Sequence, residues 1–378
     1  MDFEFSPEQE AFRAEVREWI AKNLPPELCV DDAYDERIAP NREVFEKRRA
    51  WQAKLNRAGY GGFPWPKQYG GRDASLIEQY IWDEEYSNAR APVLPGYFGL
   101  GLCGPTLMQW GTDAQKERFL KRILAADDVW CQGYSEPGAG SDLAGISTRA
   151  VDQGDYFEVN GQKVWTSGAQ YADWMFMLAR TDPDAPKHRG ISYLLLDMKS
   201  PGVSVRPLIT MNGHAHFNEV FFDNVQVPRD NLVGQINEGW KVAMTTLSFE
   251  RSFAGGGGHG SQIKRLAELA KRVTLDGKPA WEKEWVRQQL AQFAIENEAA
   301  KYARLRSFTR QLRGLPPGAG RLDAQVVRLG VGCANRALFD RATRRLWAPR
   351  RGDGSGARCT ALAKSSAQFA AIYDCRWH

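Results

Sequence analysis

A loop rich in glycine and serine lies between residues 134 and 142, where the chain reads YSEPGAGSD. Gly138 and Gly140 allow backbone torsions and close approaches that a side chain would obstruct. Ser135 and Ser141 supply hydroxyl groups that can donate and accept hydrogen bonds. The loop therefore predicts a binding site for a ligand with a polar ring edge or a phosphate. The alternative is a glycine-rich turn between strands with a purely structural role.

A second candidate for chemistry is the carboxylate of Glu250, which lies in the segment LSFERSFAGGG. Leu247 and Phe249 make its surroundings apolar, and removal from water raises the pKa and the basicity of a carboxylate. Such a group can act as a general base. Read alone, however, a glutamate beside Arg251 on an amphipathic helix is more typical of a solvated surface pair.

The elements that must position these groups change type twice along the chain. The first helix is predicted after Ser6, which can accept hydrogen bonds from the first free amides. Short apolar and aromatic runs from about Asp128 to Val233, with turns such as Asn160-Gly161, predict a compact antiparallel sheet. Helical spacing of apolar residues predicts further helices at about 43–58, 75–90, 112–125, 238–253, 261–273 and 282–313.

This order of elements predicts an α+β fold with three domains. We expect an N-terminal helical domain at 1–126, a middle antiparallel β domain at 127–235 and a C-terminal helical domain at 236–378, atypical after about residue 314. At 43% hydrophobic and 25% charged, a chain of 378 residues can bury a large core in such domains.

Composition also bears on location and on metal binding. The acidic start MDFEFSPEQEAF lacks the basic residues and the apolar run of a secretory signal, and no apolar stretch is long enough to span a bilayer. We therefore expect a cytoplasmic protein without a membrane partner. The six cysteines are scattered without close pairs, so we expect no metal site.

Taken together, the motifs resemble those of the acyl-CoA dehydrogenase family. The resemblance rests on the helix, sheet, helix order and on YSEPGAGSDLAGISTRA at 134–150, GQKVWTSGA at 161–169 and LSFERSFAGGG at 247–257. It runs from about residue 3 to about residue 313. It implies FAD as the cofactor, an acyl-CoA substrate, an electron-transfer flavoprotein as the electron acceptor and an oligomer, usually a tetramer built as a dimer of dimers.

The resemblance also implies roles for single residues. Glu250 stands where isovaleryl- and long-chain acyl-CoA dehydrogenases carry their base, while Ser167 would lie near the reactive nitrogen of the flavin. Ser141 and Ser248 would lie near the CoA portion, and Arg251 matches an arginine that orders the substrate site. The residues implied to contact the flavin are Gln132, Tyr134, Ser135, Gly140, Ser141, Trp165, Thr166, Ser167 and Arg272. By itself, Trp165 is equally typical of a buried core aromatic.

The chain departs from the family pattern towards its C-terminus. Where relatives have an Arg-x-x-Phe-Gly segment, it reads AKRVTLDGKPAWEKEW, so Arg272 is the candidate that remains for a phosphate contact. The glycine-rich and Gly-Thr-Ser-Glu-Ile type segments of relatives are not recognisable after Pro317. Residues 316–378 hold eleven Lys and Arg but four Asp and Glu. A frameshift near residues 314–320 and a divergent lineage both explain this break in composition.

Three functions are compatible with the sequence. The leading one is FAD-dependent oxidation of an acyl-CoA to its 2-enoyl-CoA, with Glu250 as the base. The second is a catalytically impaired or structural subunit of a heteromeric acyl-CoA dehydrogenase, whose other subunit supplies missing flavin contacts. The third, a nucleic-acid-associated flavoprotein, rests on the arginines of the tail, for which a solvated tail is the simpler interpretation.

Overall fold

The computed structural model describes residues 5–30, 38–211, 213–253, 260–275 and 277–314. These residues divide into two compact units. The first extends to residue 210 and continues from 214 to 253, and the second consists mainly of residues 260–314. Helices and strands of the expected α+β type make up both units.

The helices of the first unit begin at local capping signals. The Ser6 side chain accepts a hydrogen bond from the Gln9 amide, and the Gln9 side chain accepts one from the Ser6 amide. Ser75 and Thr112 form the same reciprocal pair with the residue three positions on. The predicted helices of this unit are therefore confirmed to within two residues. The helices of the first unit, of which all but α4 were predicted, are α1 (Pro7–Asn23), α2 (Arg42–Arg57), α3 (Leu76–Asn88), α4 (Gly104–Trp110), α5 (Asp113–Ala125) and α6 (Gly239–Phe253).

The sequence does not predict α4 or the π-helical turn at Gly99–Cys103 that leads into it. Glycine and proline are typical of loops, yet Pro105 lies in the first turn of α4, where its missing amide proton breaks no helical hydrogen bond. A Cβ atom added to Gly104 would lie 2.2 Å from the Trp65 ring. Close packing against this ring therefore accounts for the glycine.

A buried ion pair joins α1 to α3. The side chain of Glu85, 3% exposed, accepts hydrogen bonds from Arg13 at 2.9 Å and from Arg17 at 2.8 and 2.9 Å. The hydrogen bond from Arg17 and the nearby guanidinium charges hold the pKa of Glu85 below its ordinary value, against the effect of burial. Glu84, whose side chain is 37% exposed, is a second partner of Arg13.

We expect Glu85→Gln to lower the free energy of unfolding by about 3 kcal/mol at neutral pH, because it leaves the guanidinium of Arg13 without its buried anion. Glu84→Gln is the matched control, with an expected loss below about 1 kcal/mol. Urea unfolding measures both. Because folding lowers the pKa of Glu85, its stabilisation is present above the unfolded pKa and disappears as the pH falls through the folded pKa. Equal stability of Glu85→Gln and wild type at neutral pH would contradict this account.

The middle of the chain forms an eight-stranded sheet in the order β6-β7-β3-β2-β4-β5-β8, with β1 paired to β4. Along β4 and β5, alternate residues point into two apolar clusters, so both strands are buried on both faces. The strands are β1 (Trp130–Gly133), β2 (Arg149–Asp152), β3 (Tyr156–Ser167), β4 (Trp174–Arg180), β5 (Ile191–Asp197), β6 (Val203–Leu208), β7 (Phe217–Pro228) and β8 (Leu232–Val233).

The predicted sheet is confirmed, but it is not wholly antiparallel. β1 runs parallel to β4 over four residue pairs, and β2 meets β4 in parallel at Arg149. Parallel strands cannot be joined by a tight hairpin. From β1 to β4 the chain passes through the loop 134–148 and then through β2 and β3, and from β2 to β4 it passes through β3. This parallel pairing places the end of β1, and therefore the start of the loop, inside the sheet.

The second unit contains α7 (Gly260–Arg272), the short strands β9 (Thr274–Leu275) and β10 (Lys278–Pro279), and α8 (Glu284–Leu312). Both helices are confirmed, and the two-stranded hairpin between them was not predicted. The basic tail after Leu315 lies outside the described residues, so the three-domain division and the explanations of the tail stay predictions. Within the part of the chain that the structure describes, no helix is long and apolar enough to cross a membrane.

Candidate active site

The loop 134–148 runs from β1 to β2 and is fixed to β3 by hydrogen bonds. At its start, Glu136 and Ala139 exchange two backbone hydrogen bonds of 3.0 Å and close a tight turn around Pro137 and Gly138. The Ser135 carbonyl accepts a hydrogen bond of 2.9 Å from the Val164 amide on β3. The predicted glycine-serine loop is therefore held by the sheet.

A buried ion pair lies behind the loop. Lys163, on β3, donates to Glu136 at 2.7 Å and to the Tyr134 carbonyl at 3.2 Å. Glu136 also accepts from the Ser147 amide at 2.6 Å and from the Thr148 amide at 3.1 Å. The two charged side chains are 0% and 4% exposed. The pair therefore joins both ends of the loop to β3.

The charges of this pair compensate each other. Burial raises the pKa of Glu136, but Lys163 and the hydrogen bonds from the Ser147 amide and Thr148 outweigh it and hold the pKa below its ordinary value. Burial lowers the pKa of Lys163 to about 8, against the attraction of Glu136. Neither residue was predicted from the sequence as part of the site. The sequence does contain a signal for this pair. A lysine lies within an apolar strand and a glutamate within a glycine-serine loop, and neither place favours a charged side chain.

The backbone of the two loop glycines differs from the prediction. Gly138 and Gly140 do not adopt left-handed torsions, so they are not required for an unusual backbone conformation. A Cβ atom built on either would meet no protein atom within 4 Å. At Gly140, which the resemblance places against the flavin, this open space leaves room for close approach by a ligand.

Gly140→Ala is therefore expected to leave the free energy of unfolding unchanged and to weaken FAD binding about tenfold to a hundredfold, the effect of about 1–3 kcal/mol of crowding. Gly138→Ala, which has equal room but no implied flavin contact, is the matched control. Unfolding curves and titration of the FAD-free protein with FAD measure the two effects. Equal FAD affinity in Gly140→Ala and wild type would remove Gly140 from the site.

Trp165 is exposed, which excludes the alternative of a buried core aromatic. The pairing of β3 with β7 shifts register between Lys163 and Thr166, and Trp165 adopts a left-handed conformation there with φ of 59°. Its ring is 59% exposed and meets Phe217 edge to face at 5.7 Å. A large exposed aromatic in a strained backbone conformation is typical of a ligand-binding position.

Thr166 and Ser167 differ in their surroundings. Ser167 is half-buried, whereas Thr166 is buried. Among the described residues, the Thr166 hydroxyl and the side-chain oxygen of Asn218, its partner on β7, are buried and have no hydrogen-bond partner. Asn218 was not predicted as a site residue. Unsatisfied polar atoms beside an exposed ring, and open space at Gly140, fit a planar cofactor with polar edges such as FAD.

Helix α6 positions Glu250. A Cβ atom on Gly239, at the start of α6, would lie 2.4 Å from the backbone of Ser192, so glycine is needed for the helix to pack this closely on β5. Thr246 is buried and its hydroxyl lies 2.9 Å from that of Thr106 on α4. Glu250 follows Thr246 by about one helical turn and is half-buried. This burial disfavours the fully solvated surface pair.

The structure brings Glu250 and the loop together. Burial raises the pKa of the Tyr134 phenol, and the negative charge of Glu250 acts in the same direction. Both Tyr134 and the residues flanking Glu250, Leu247 and Phe249, contact one apolar cluster.

The remaining predicted site residues occupy more exposed positions. Gly140, Ser141 and Ser248 are exposed. The Ser248 hydroxyl donates to the Thr245 carbonyl at 2.7 Å. The Arg251 side chain lies outside the described residues. Arg272 is exposed at the end of α7 in the second unit, so its flavin contact stays a prediction.

Three family models match most of the chain. Models of the N-terminal, middle and C-terminal domains of acyl-CoA dehydrogenases match residues 6–127, 131–225 and 237–345. The last match extends past residue 313, where the resemblance in motifs ends. Acyl-CoA dehydrogenase IpdE1 of Mycobacterium tuberculosis is 46% identical over 275 residues, which cover 71% of each chain.

Two similar solved structures cover nearly the whole chain. The structure described as the Tcur3481-Tcur3483 steroid ACAD has a TM-score of 0.75 and 32% identity, and the match covers 98% of this chain and 93% of that one. The ChsE4-ChsE5 complex from Mycobacterium tuberculosis has a TM-score of 0.74 and 31% identity, with 99% and 95% covered. The chain therefore belongs to the acyl-CoA dehydrogenase family of flavoprotein oxidoreductases.

Proposed function

We propose that this chain binds FAD and oxidises an acyl-CoA thioester to its 2-enoyl-CoA, with Glu250 as the base. The observation that carries the proposal is the position of Glu250, half-buried on α6 beside Leu247 and Phe249, which pack against the apolar cluster that contains Tyr134. A base at the α carbon and a hydride acceptor at the β carbon must lie close together for this reaction. When bound, FAD supplies the hydride acceptor.

The residues that would hold FAD lie on the loop and on β3. Ser135, Gly140 and Ser141 would face its polar atoms with hydroxyls and amides, and Trp165 would cover a face of its ring. Ser167, half-buried beside Trp165, would lie near the reactive nitrogen. The other proposed contacts are Gln132, Tyr134, Thr166 and Arg272.

The chain's own part in the reaction is the proton step. The Glu250 carboxylate takes a proton from the α carbon, and the electron pair of that C–H bond forms the double bond as a hydride leaves the β carbon. Leu247 and Phe249, near Glu250 on α6, pack against the apolar core and would limit access of water to this carboxylate, which would favour proton transfer from a weakly acidic carbon. Ser141 and Ser248 would bind the CoA portion, and an electron-transfer flavoprotein would reoxidise the enzyme.

Product analysis tests the proposal. The flavin-loaded chain is mixed under anaerobic conditions with straight, branched and ring-bearing acyl-CoAs, and the thioesters are examined by mass spectrometry. We expect at least one to lose two hydrogen atoms from its acyl portion. Unchanged masses across the panel, with flavin bound, would contradict the proposed activity of this chain.

A second candidate is a subunit that is active only in a heteromer. Two structural neighbours support it, because each is named for two proteins, Tcur3481-Tcur3483 and ChsE4-ChsE5. Affinity purification of the tagged chain from its native cell tests this candidate. A second acyl-CoA dehydrogenase chain in equal amount, required for activity, would support the heteromer. A chain that purifies and turns over alone would exclude it.

A further inference from the structure

The turn 165–170, which carries Trp165 and Ser167, needs support beyond the sheet. The register of β3 on β7 shifts between Lys163 and Thr166, so the regular ladder of backbone hydrogen bonds is interrupted there. Within this interruption Trp165 adopts its left-handed conformation, which is unfavourable for a residue with a large side chain. Such a conformation persists only where neighbouring groups hold the backbone in place.

The Asn218 side chain, fully buried on β7, contacts both sides of this turn. Its amide group donates to the Thr166 carbonyl at 2.9 Å and to the Gln170 side-chain oxygen at 2.5 Å. The Gln170 amide in turn donates to the Ala215 carbonyl at 3.0 Å, in the segment that leads into β7. Ser167 lies between the two residues that Asn218 holds. One side chain therefore links the start and the end of the turn to the same strand.

The orientation of the Asn218 amide follows from its partners. A backbone carbonyl such as that of Thr166 can only accept, so the side-chain nitrogen of Asn218 must face it. The Gly168 amide donates separately to the His216 carbonyl at 3.1 Å, so the middle of the turn stays attached without Asn218. Loss of the Asn218 amide is therefore expected to release the backbone around Trp165 and to leave the sheet itself in place.

We propose that Asn218 is a positioning residue for the cofactor site, because its amide holds Trp165 and Ser167 in the conformation that would receive the flavin. The inference rests on the proposed function and goes beyond it, since Asn218 has no implied contact with FAD. Asn218 acts through the turn and touches no reacting atom. Without its amide, the site would have to be ordered when FAD arrives, which weakens binding.

Fluorine NMR of protein labelled with 5-fluorotryptophan tests the inference without turnover. The signal of Trp165 is identified among those of the thirteen tryptophans by its absence from Trp165→Phe. Asn218→Leu keeps the approximate volume of the side chain but has no amide. In this variant, free of FAD, we expect the Trp165 signal to shift or broaden while the signals of the other tryptophans stay in place. Titration should show FAD binding about tenfold weaker than in wild type.

A matched control and a milder variant separate this role from a general loss of stability. Asn231 is also buried, but it lies beside β8, at the other end of the sheet, and accepts from Arg118 at 3.3 Å. Asn231→Leu should leave the Trp165 signal and the FAD affinity as in wild type. Gln170→Met, at a half-buried position, removes the second link and should change both in the direction of Asn218→Leu, but less.

An unchanged Trp165 signal in Asn218→Leu and Gln170→Met would overturn the inference, as would an equal change in Asn231→Leu. If Asn218→Leu does not fold, the comparison of Gln170→Met with Asn231→Leu decides. If wild type oxidises no thioester, the proposed function fails, but the spectra of the FAD-free proteins still decide whether Asn218 holds the turn.

Discussion

Glu250→Gln is expected to slow substrate-induced reduction of the flavin by at least about a thousandfold, in the range that a positioned general base contributes. The amide keeps the volume and the hydrogen-bonding shape of the side chain but cannot take up the α proton. The bound flavin should remain, since no implied flavin contact is removed. Stopped-flow absorbance after mixing with an acyl-CoA measures the rate.

The matched control for this change is Glu238→Gln. Glu238 lies just before α6, pairs with Lys241 at 2.7 Å and has a side chain that is 44% exposed. Its replacement should leave the rate of flavin reduction within about twofold of wild type. An exposed ion pair contributes less than about 1 kcal/mol to stability, so its loss should not disturb α6. Flavin reduction by Glu250→Gln at the rate of wild type would show that another group is the base.

Lys163→Met is expected to lower the free energy of unfolding by about 3–5 kcal/mol, because it leaves the Glu136 carboxylate buried without its cation. The loop 134–148 would then lose its buried charged link to β3, so the protein should also retain less FAD. Urea unfolding and the FAD content after gel filtration measure the two effects.

Two further variants test whether the loss of stability comes from the unpaired buried charge. In the double variant Glu136→Gln with Lys163→Met, part of the stability should return, since no unpaired charge is left in the core. Lys187→Met removes the cation of the exposed pair with Asp142 near the same loop and should change stability by less than about 1 kcal/mol. A small, equal effect of Lys163→Met and Lys187→Met would exclude the buried pair as the support of the loop.

Local signals explain how much of the fold could be predicted. Ser6, Ser75 and Thr112 start helices through hydrogen bonds to residues three positions on, and apolar spacing marks the buried face, so helix bounds are readable from short segments. The parallel pairing of β1 with β4 could not be read in this way. Contacts between segments that are distant in the sequence determine which strands pair. The residues of β1 alone therefore do not indicate that β4 is its partner.

The site was predicted unevenly for the same reason. The glycine-serine loop and Glu250 belong to motifs, whereas the exposure of Trp165 arises from a register shift between β3 and β7. The ion pair of Glu136 and Lys163 joins residues whose role becomes visible only when the loop folds back on the strand. Motifs therefore indicated which chemistry to expect, and the structure added what holds the reacting groups in place.

The most direct test of the account is the visible absorption spectrum of the purified chain, reconstituted with FAD and recorded without oxygen before and after an acyl-CoA is added. We expect a bound-flavin spectrum that loses its main band when a suitable thioester is present. A chain that takes up no FAD, or whose bound flavin stays oxidised with every thioester of the panel, would contradict it.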